Sequence, residues 1–189
     1  SAPVARTERT DDRKTVHFAT SDRISTYAFS FVAGDFEALT QEVDGHRMTM
    51  LHRETDADTV ARNVDEIFRL HAAALAWLEV YTGIPHPYQK LDFALLPAHP
   101  YGGMEHVGAI QYRSDSLMLD EGASDAERLG RASLIAHEVA HMWFGNLVTM
   151  RWFDDVWTKE VFANFMAAKI VNPSFPAIDH DLNFLVDHH

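Results

Sequence analysis

The chain has 189 residues, with 16 Lys and Arg against 28 Asp and Glu for a net charge of −12, and it holds 47% apolar residues, 12 His and no Cys. That fits a packed globular chain of one ordinary domain, or one small domain plus part of another, and the acidic balance argues against a nucleic-acid or anionic-membrane binder, which needs a basic face. Without thiolates there is no disulfide framework, cysteine zinc site or cysteine nucleophile, so a metal here must be held by His and carboxylates.

Ser1 to Thr15 is polar and shows no apolar h-region of a secretory signal. No run approaches the ~20 apolar residues that span a bilayer. Thr15–Phe18, Tyr27–Val32 and Arg47–Leu51 alternate apolar and polar residues and predict strands of a β-rich opening segment. Asp56 to Asp58 offers an N-cap, after which Val60, Val64, Ile67, Phe68, Leu75 and Leu78 recur at helical spacing until Gly83. A domain boundary is therefore expected near residue 53. Leu91–Leu96 reads as a buried strand closed by Pro97, and a strand pair is predicted around Met104–Tyr112 and Ser116–Leu119. The pattern turns helical from Ser124 to about Gly145, and again from Asp154 or Asp155 to Asn172-Pro173. Asp181–His189 reads as an amphipathic helix that stops without a cap, which predicts a piece of a longer protein.

His137-Glu138-Val-Ala-His141 lies within the helix that starts near Ser124. Residues four apart share a helix face, so two imidazoles can grip one zinc ion, and Glu138 can reach a water polarised by that ion as general base. Glu160, on the next predicted helix, can supply a third ligand; two His, one Glu and an open position make a catalytic rather than a structural zinc site. Gly102-Gly-Met-Glu-His106 is the other unusual segment. Its glycines let another chain approach the backbone, and Glu105 can hold a free α-amino group beside a strand edge open to β-augmentation. Taken singly, each feature has a plainer reading: ordinary helix histidines, a Glu160 favoured by the helix dipole, and a turn bearing an exposed Glu105.

Together these residues resemble the M1 family of zinc aminopeptidases, the gluzincins that include aminopeptidase N and leukotriene A4 hydrolase. The family signature is His-Glu-x-x-His, eighteen residues, then Glu, and His137, Glu138, His141 and Glu160 match it at that spacing. Trp143–Thr149 matches a stretch that habitually follows the second histidine, and Gly102-Gly-Met-Glu resembles the exopeptidase motif Gly-x-Met-Glu-Asn. The resemblance implies one Zn²⁺ held by His137, His141 and Glu160. It implies Glu138 as the base that activates water and Glu105 as the anchor of the substrate's α-ammonium. It also implies Gly102, Gly103 and Met104 as the strand edge along which the substrate lies. The implied fold is α+β: the N-terminal half of a thermolysin-like catalytic domain over residues 54–189, preceded in residues 1–53 by the last strands of a β-rich domain. The implied partners are peptides with a free N-terminus, with no nucleic acid and no membrane in this segment. Oligomeric state and localisation are left open.

The chain departs from the family at several positions. His106 replaces the usual Asn of the exopeptidase motif, and Lys159 and Val161 flank Glu160 where Asn and Gly are common. Ala167 stands where many members have a Glu that orients a zinc histidine, a role that Asp154 or Asp155 is expected to take over. The resemblance places the family's oxyanion-binding tyrosine, and the helical part that roofs the cleft, at positions expected beyond His189. Loss of one oxyanion donor costs about 10²–10³ in turnover, so a poor enzyme is expected of this chain alone. The rival readings are a catalytically silent zinc-binding or interaction module and a bifunctional hydrolase on the same zinc site. The remaining histidines, at 17, 46, 52, 71, 86, 99, 180, 188 and 189, are expected to be structural or solvated, and Trp143, Trp152 and Trp157 to be core.

Overall fold

Asp56 opens the longest helix, α1 (Ala57–Thr82), by accepting the Asp58 N–H at 3.0 Å, and Gly83 closes it. This computed structural model describes residues 1–182. The helix expected over Asp181–His189 falls almost wholly outside them.

Two strands, β1 (Val4–Arg9) and β2 (Lys14–Phe18), form a separate antiparallel hairpin. The main sheet holds β3 (Glu37–Val43), β4 (His46–His52), β5 (Phe93–Leu96), β6 (Gly103–Met104) and β7 (Ile110–Arg113), in the order β3-β4-β5-β7-β6. β3 pairs antiparallel with β4, β4–β5 and β5–β7 run parallel, and β6 turns back antiparallel on β7 at the sheet edge. The sheet therefore runs unbroken across residue 53. Its middle strand reads Phe-Ala-Leu-Leu because both faces of a parallel strand are covered. Helix α1 crosses from β4 to β5 and packs on α3 (Asp125–Ala140), which packs on α4 (Val156–Val171). Phe68, Leu75, Phe93, Leu95, Ile135 and Val139 meet in the core between sheet and helices. Among the described residues, no helix is long and apolar enough to cross a membrane. The mixed sheet and helices give the expected α+β class.

Several sequence expectations fail locally. Tyr27–Val32 is not a strand but a 3-10 turn at Thr26–Ala28 followed by irregular chain. Its backbone is held by isolated bonds, such as Val107 N–H to the Ala28 carbonyl at 3.1 Å, rather than by a ladder. β1 and β3 escape the pattern because β1 is exposed throughout and β3 is a half-buried edge. The Met104–Tyr112 segment is a short hairpin of β6 and β7. Ser116–Leu119 is helical at its start, in α2 (Ser114–Leu117), where the Met118 N–H bonds the Ser114 carbonyl at 2.9 Å.

Candidate metal centre

Helix α3 is started by a reciprocal cap: the Ser124 hydroxyl accepts the Glu127 N–H at 3.3 Å, and Glu127 accepts the Ser124 N–H at 2.8 Å. The helix ends at Ala140, not near Gly145 as predicted. His141 nevertheless keeps helical angles and bonds the His137 carbonyl at 3.2 Å, so the two imidazoles stay one above the other. The chain then turns sharply. Gly145 sits at φ 139°, and a Cβ there would lie 2.9 Å from His141 Nδ1, which explains the glycine after the second histidine.

A 3-10 turn over Phe153–Asp155 leads into α4 and puts Glu160 in its second turn, facing the histidines. The Nε2 atoms of His137 and His141 are 3.0 Å apart, and Glu160 Oε2 lies 3.2 Å and 3.4 Å from them. Each ring points its other nitrogen at a carbonyl oxygen: His137 Nδ1 at Asn164 Oδ1 (2.8 Å) and His141 Nδ1 at the Phe144 carbonyl (3.0 Å). With N–H on Nδ1 facing those oxygens, each neutral ring presents a lone pair at Nε2. Two lone pairs and a carboxylate oxygen then converge with no proton among them, a donor set that fits a cation. A tetrahedral ion with bonds of about 2.0–2.1 Å spaces its ligand atoms about 3.3–3.4 Å apart, close to the spacing found. Burial alone would raise the Glu160 pKa. Its contacts with His137, His141 and Lys159 outweigh that and hold the carboxyl far below the usual range.

Glu138 lies under this cluster at 4% exposure, and its Oε2 has no hydrogen-bond partner among the described residues. Burial, reinforced by the Glu105 and Glu160 charges, pushes its carboxyl well above the ordinary range. Its Cδ would be 2.7 Å from a Cβ on Gly103, so the bare backbone of β6 is what makes room for it. Glu105 follows β6 and is buried, not exposed on the strand edge. Glu105, Glu138 and His141 each offer a ligand atom within 4.8 Å of the others. Glu105 Oε1 lies 2.6 Å from Lys159 Nζ and 3.3 Å from the Tyr27 hydroxyl, and its carbonyl accepts Asn146 Nδ2 at 2.9 Å. Burial pushes the Glu105 pKa up, but His141 and Lys159 prevail and hold it below the usual range. Gly102 continues the hairpin by accepting the Arg113 N–H at 2.8 Å, and Met104 is half-buried in β6.

Over residues 67–189 the sequence matches the peptidase family M1 domain. The chain belongs to that family. It is 35% identical over 182 residues to a probable aminopeptidase 1 of Sulfurisphaera tokodaii, covering 95% of this chain and 22% of that protein. It is 35% identical over 177 residues to the puromycin-sensitive aminopeptidase of Caenorhabditis elegans, covering 93% and 18%. It is 37% identical over 172 residues to human endoplasmic reticulum aminopeptidase 2, covering 89% and 17%. The chain thus spans about a fifth of the length of these relatives.

The places where this M1 chain departs from the common motif are filled in particular ways. Asn164, one turn beyond Glu160, holds His137, while neither Asp154 nor Asp155 bonds either histidine; the expected compensation comes from a different residue. Ala167 instead borders a cleft of about 330 Å³ beside His137 and Asn164. His106 brings no bond to the site: its Nδ1 is buried without a partner among the described residues, and burial lowers its pKa. Trp143 is buried as expected, but Trp152 and Trp157 are 66% and 62% exposed. The two tryptophans frame the entry to α4 rather than the core. Tyr27, Asn146 and Asn164 were not singled out from the sequence. Asn146 lies within the matched stretch Trp143–Thr149, and Asn164 follows Glu160 by four residues on one helix face.

Proposed function

We propose that the chain carries the metal centre and substrate anchor of a zinc-dependent aminopeptidase. The observation that supports this most is the convergence of His137, His141 and Glu160 next to a buried Glu138 whose Oε2 has no hydrogen-bond partner among the described residues. Zinc at these three ligands would polarise a peptide carbonyl and lower the pKa of water to about 7. Glu138 takes the proton of the attacking water and returns it to the leaving amine. Its raised proton affinity suits a group that must hold a proton between the two steps. Glu105 takes the substrate's α-ammonium, which places the first peptide bond over Glu138 and excludes chains that continue past the N-terminus. Among the described residues, the outer edge of β6, at Gly103 and Met104, has no sheet neighbour and offers backbone groups to an extended peptide. The substrates are accordingly peptides with a free N-terminus.

In the whole protein loaded with zinc, aminoacyl chromogenic amides are expected to be cleaved and N-acetylated peptides spared. Glu105→Ala should collapse that selectivity. Glu138→Gln should lower turnover by roughly 10²–10⁴-fold with zinc content unchanged. Equal cleavage of acetylated and free peptides would refute the exopeptidase reading.

A further inference from the structure

Among the described residues, Lys159 is the one cation buried in the floor of the site, and the function proposed above does not use it. It precedes Glu160 on α4, so the two side chains point about 100° apart. Glu160 faces the histidines while Lys159 turns inward to 7% exposure. Its ammonium lies 2.6 Å from Glu105 Oε1, pairs also with Glu160 Oε1, and sits 5.6 Å from the centre of the Tyr27 ring. A long, strongly hydrated side chain stays buried only when its charge is well matched, and here two carboxylates and an aromatic face match it. Those are the contacts a primary alkylammonium ligand would seek. The Tyr27 hydroxyl lies 3.3 Å from the same Glu105 oxygen and 3.2 Å from the Gly145 carbonyl, so its one proton is shared between them and Lys159 is the charged partner of Glu105.

We propose that Lys159 is a tethered ammonium on the Glu105 anchor, and that it sets the affinity of the site for N-terminal amines. A single carboxylate cannot be neutralised twice without two like charges meeting at close range. An incoming α-ammonium must therefore displace the Lys159 head from Glu105. The inference rests on Glu105 being the amine anchor. Lys159 then acts through Glu105 as a specificity-determining residue. It need not touch the scissile bond.

L-alaninol has a free ammonium and no scissile bond, and its N-acetyl derivative lacks the charge. Both are titrated calorimetrically into the whole protein, with and without zinc. Lys159→Met should tighten alaninol binding on the order of tenfold and leave N-acetylalaninol unchanged. Alaninol binding that is unchanged or weaker, or an equal change for both probes, overturns the role of Lys159. Glu105→Gln separates the two layers. If it weakens alaninol while Lys159→Met does not tighten it, only Lys159 loses its role. If it leaves alaninol binding intact, the amine anchor itself falls, and the inference with it. Should Lys159→Met not fold, a crystal structure of the unaltered protein with alaninol decides. Displacement of Nζ beyond hydrogen-bond reach of Glu105 supports the proposal, and an undisturbed Lys159–Glu105 pair beside bound alaninol refutes it.

Discussion

His71 and His141 are equally hidden, at 0% and 1% exposure, yet the fold treats their nitrogens in opposite ways. His71 donates from Nδ1 to the Ile67 carbonyl at 2.8 Å and accepts the Tyr112 hydroxyl on Nε2 at 3.0 Å. Its ring stacks on Phe93 with centroids 4.0 Å apart, and burial pushes its pKa down to about 4. Nothing on that imidazole is left over. His141 and its partner His137 each commit Nδ1 to a carbonyl oxygen and leave Nε2 facing another lone pair and a carboxylate. A structural histidine is recognised by two satisfied nitrogens, and a ligating one by one locked nitrogen and one stranded.

The largest expected effect falls on the stranded side. His141→Ala should take the protein from about one zinc per chain to background after zinc loading and dialysis, whereas His71→Gln should keep its zinc. A full complement of zinc in His141→Ala would place the ion elsewhere and erase the contrast. Next comes the lock on the other ring. Asn164→Ala frees His137 Nδ1, and zinc affinity measured against a competing chelator should fall on the order of 10–100-fold. An unchanged affinity would mean that the ring is oriented by packing alone.

The smallest effect tests the satisfied side. Unfolded His71 titrates near 6.5 and folded His71 near 4, so between those values the unfolded chain binds the extra proton. Stability should therefore fall as pH drops through 6.5, and this loss should level off near 4. From pH 7 to pH 5.5 the His71 share is about 1 kcal/mol, read from urea unfolding as the part of the pH dependence that His71→Gln removes. A variant with the same pH dependence as the parent would show that His71 is not held neutral.

Two kinds of information separate what the sequence discloses from what it hides. Spacing survives folding: residues 137, 141 and 160 come together because helical period and loop length are local properties, and α1 was bounded by its own cap and Gly83. Contacts between distant segments leave no local trace. Tyr27 reaches Glu105 across 78 positions and Gly145 across 118, and the same segment read as a strand because its alternation serves isolated contacts instead of a ladder. Lys159 was visible as a departure from the motif, but its meaning depends on where α4 aims it, and that is set by packing on α3. The strand predicted at Ser116–Leu119 failed because apolar residues at short range fit a helical turn as well as a strand.

The contact between Gly103 and Glu138 inverts the usual logic of alanine scanning. Alanine normally deletes a side chain and reports what is lost. At Gly103 it would insert a methyl where the Glu138 carboxyl now rests, nudging the flexible end of one side chain and not the backbone. At Gly145 it would crowd the His141 ring at 2.9 Å and strain a backbone at φ 139°. The quietest substitution in the genetic code thus becomes a probe of one carboxyl's placement at the first position and of a ring and a bend together at the second. A scan that skips glycines would pass over both.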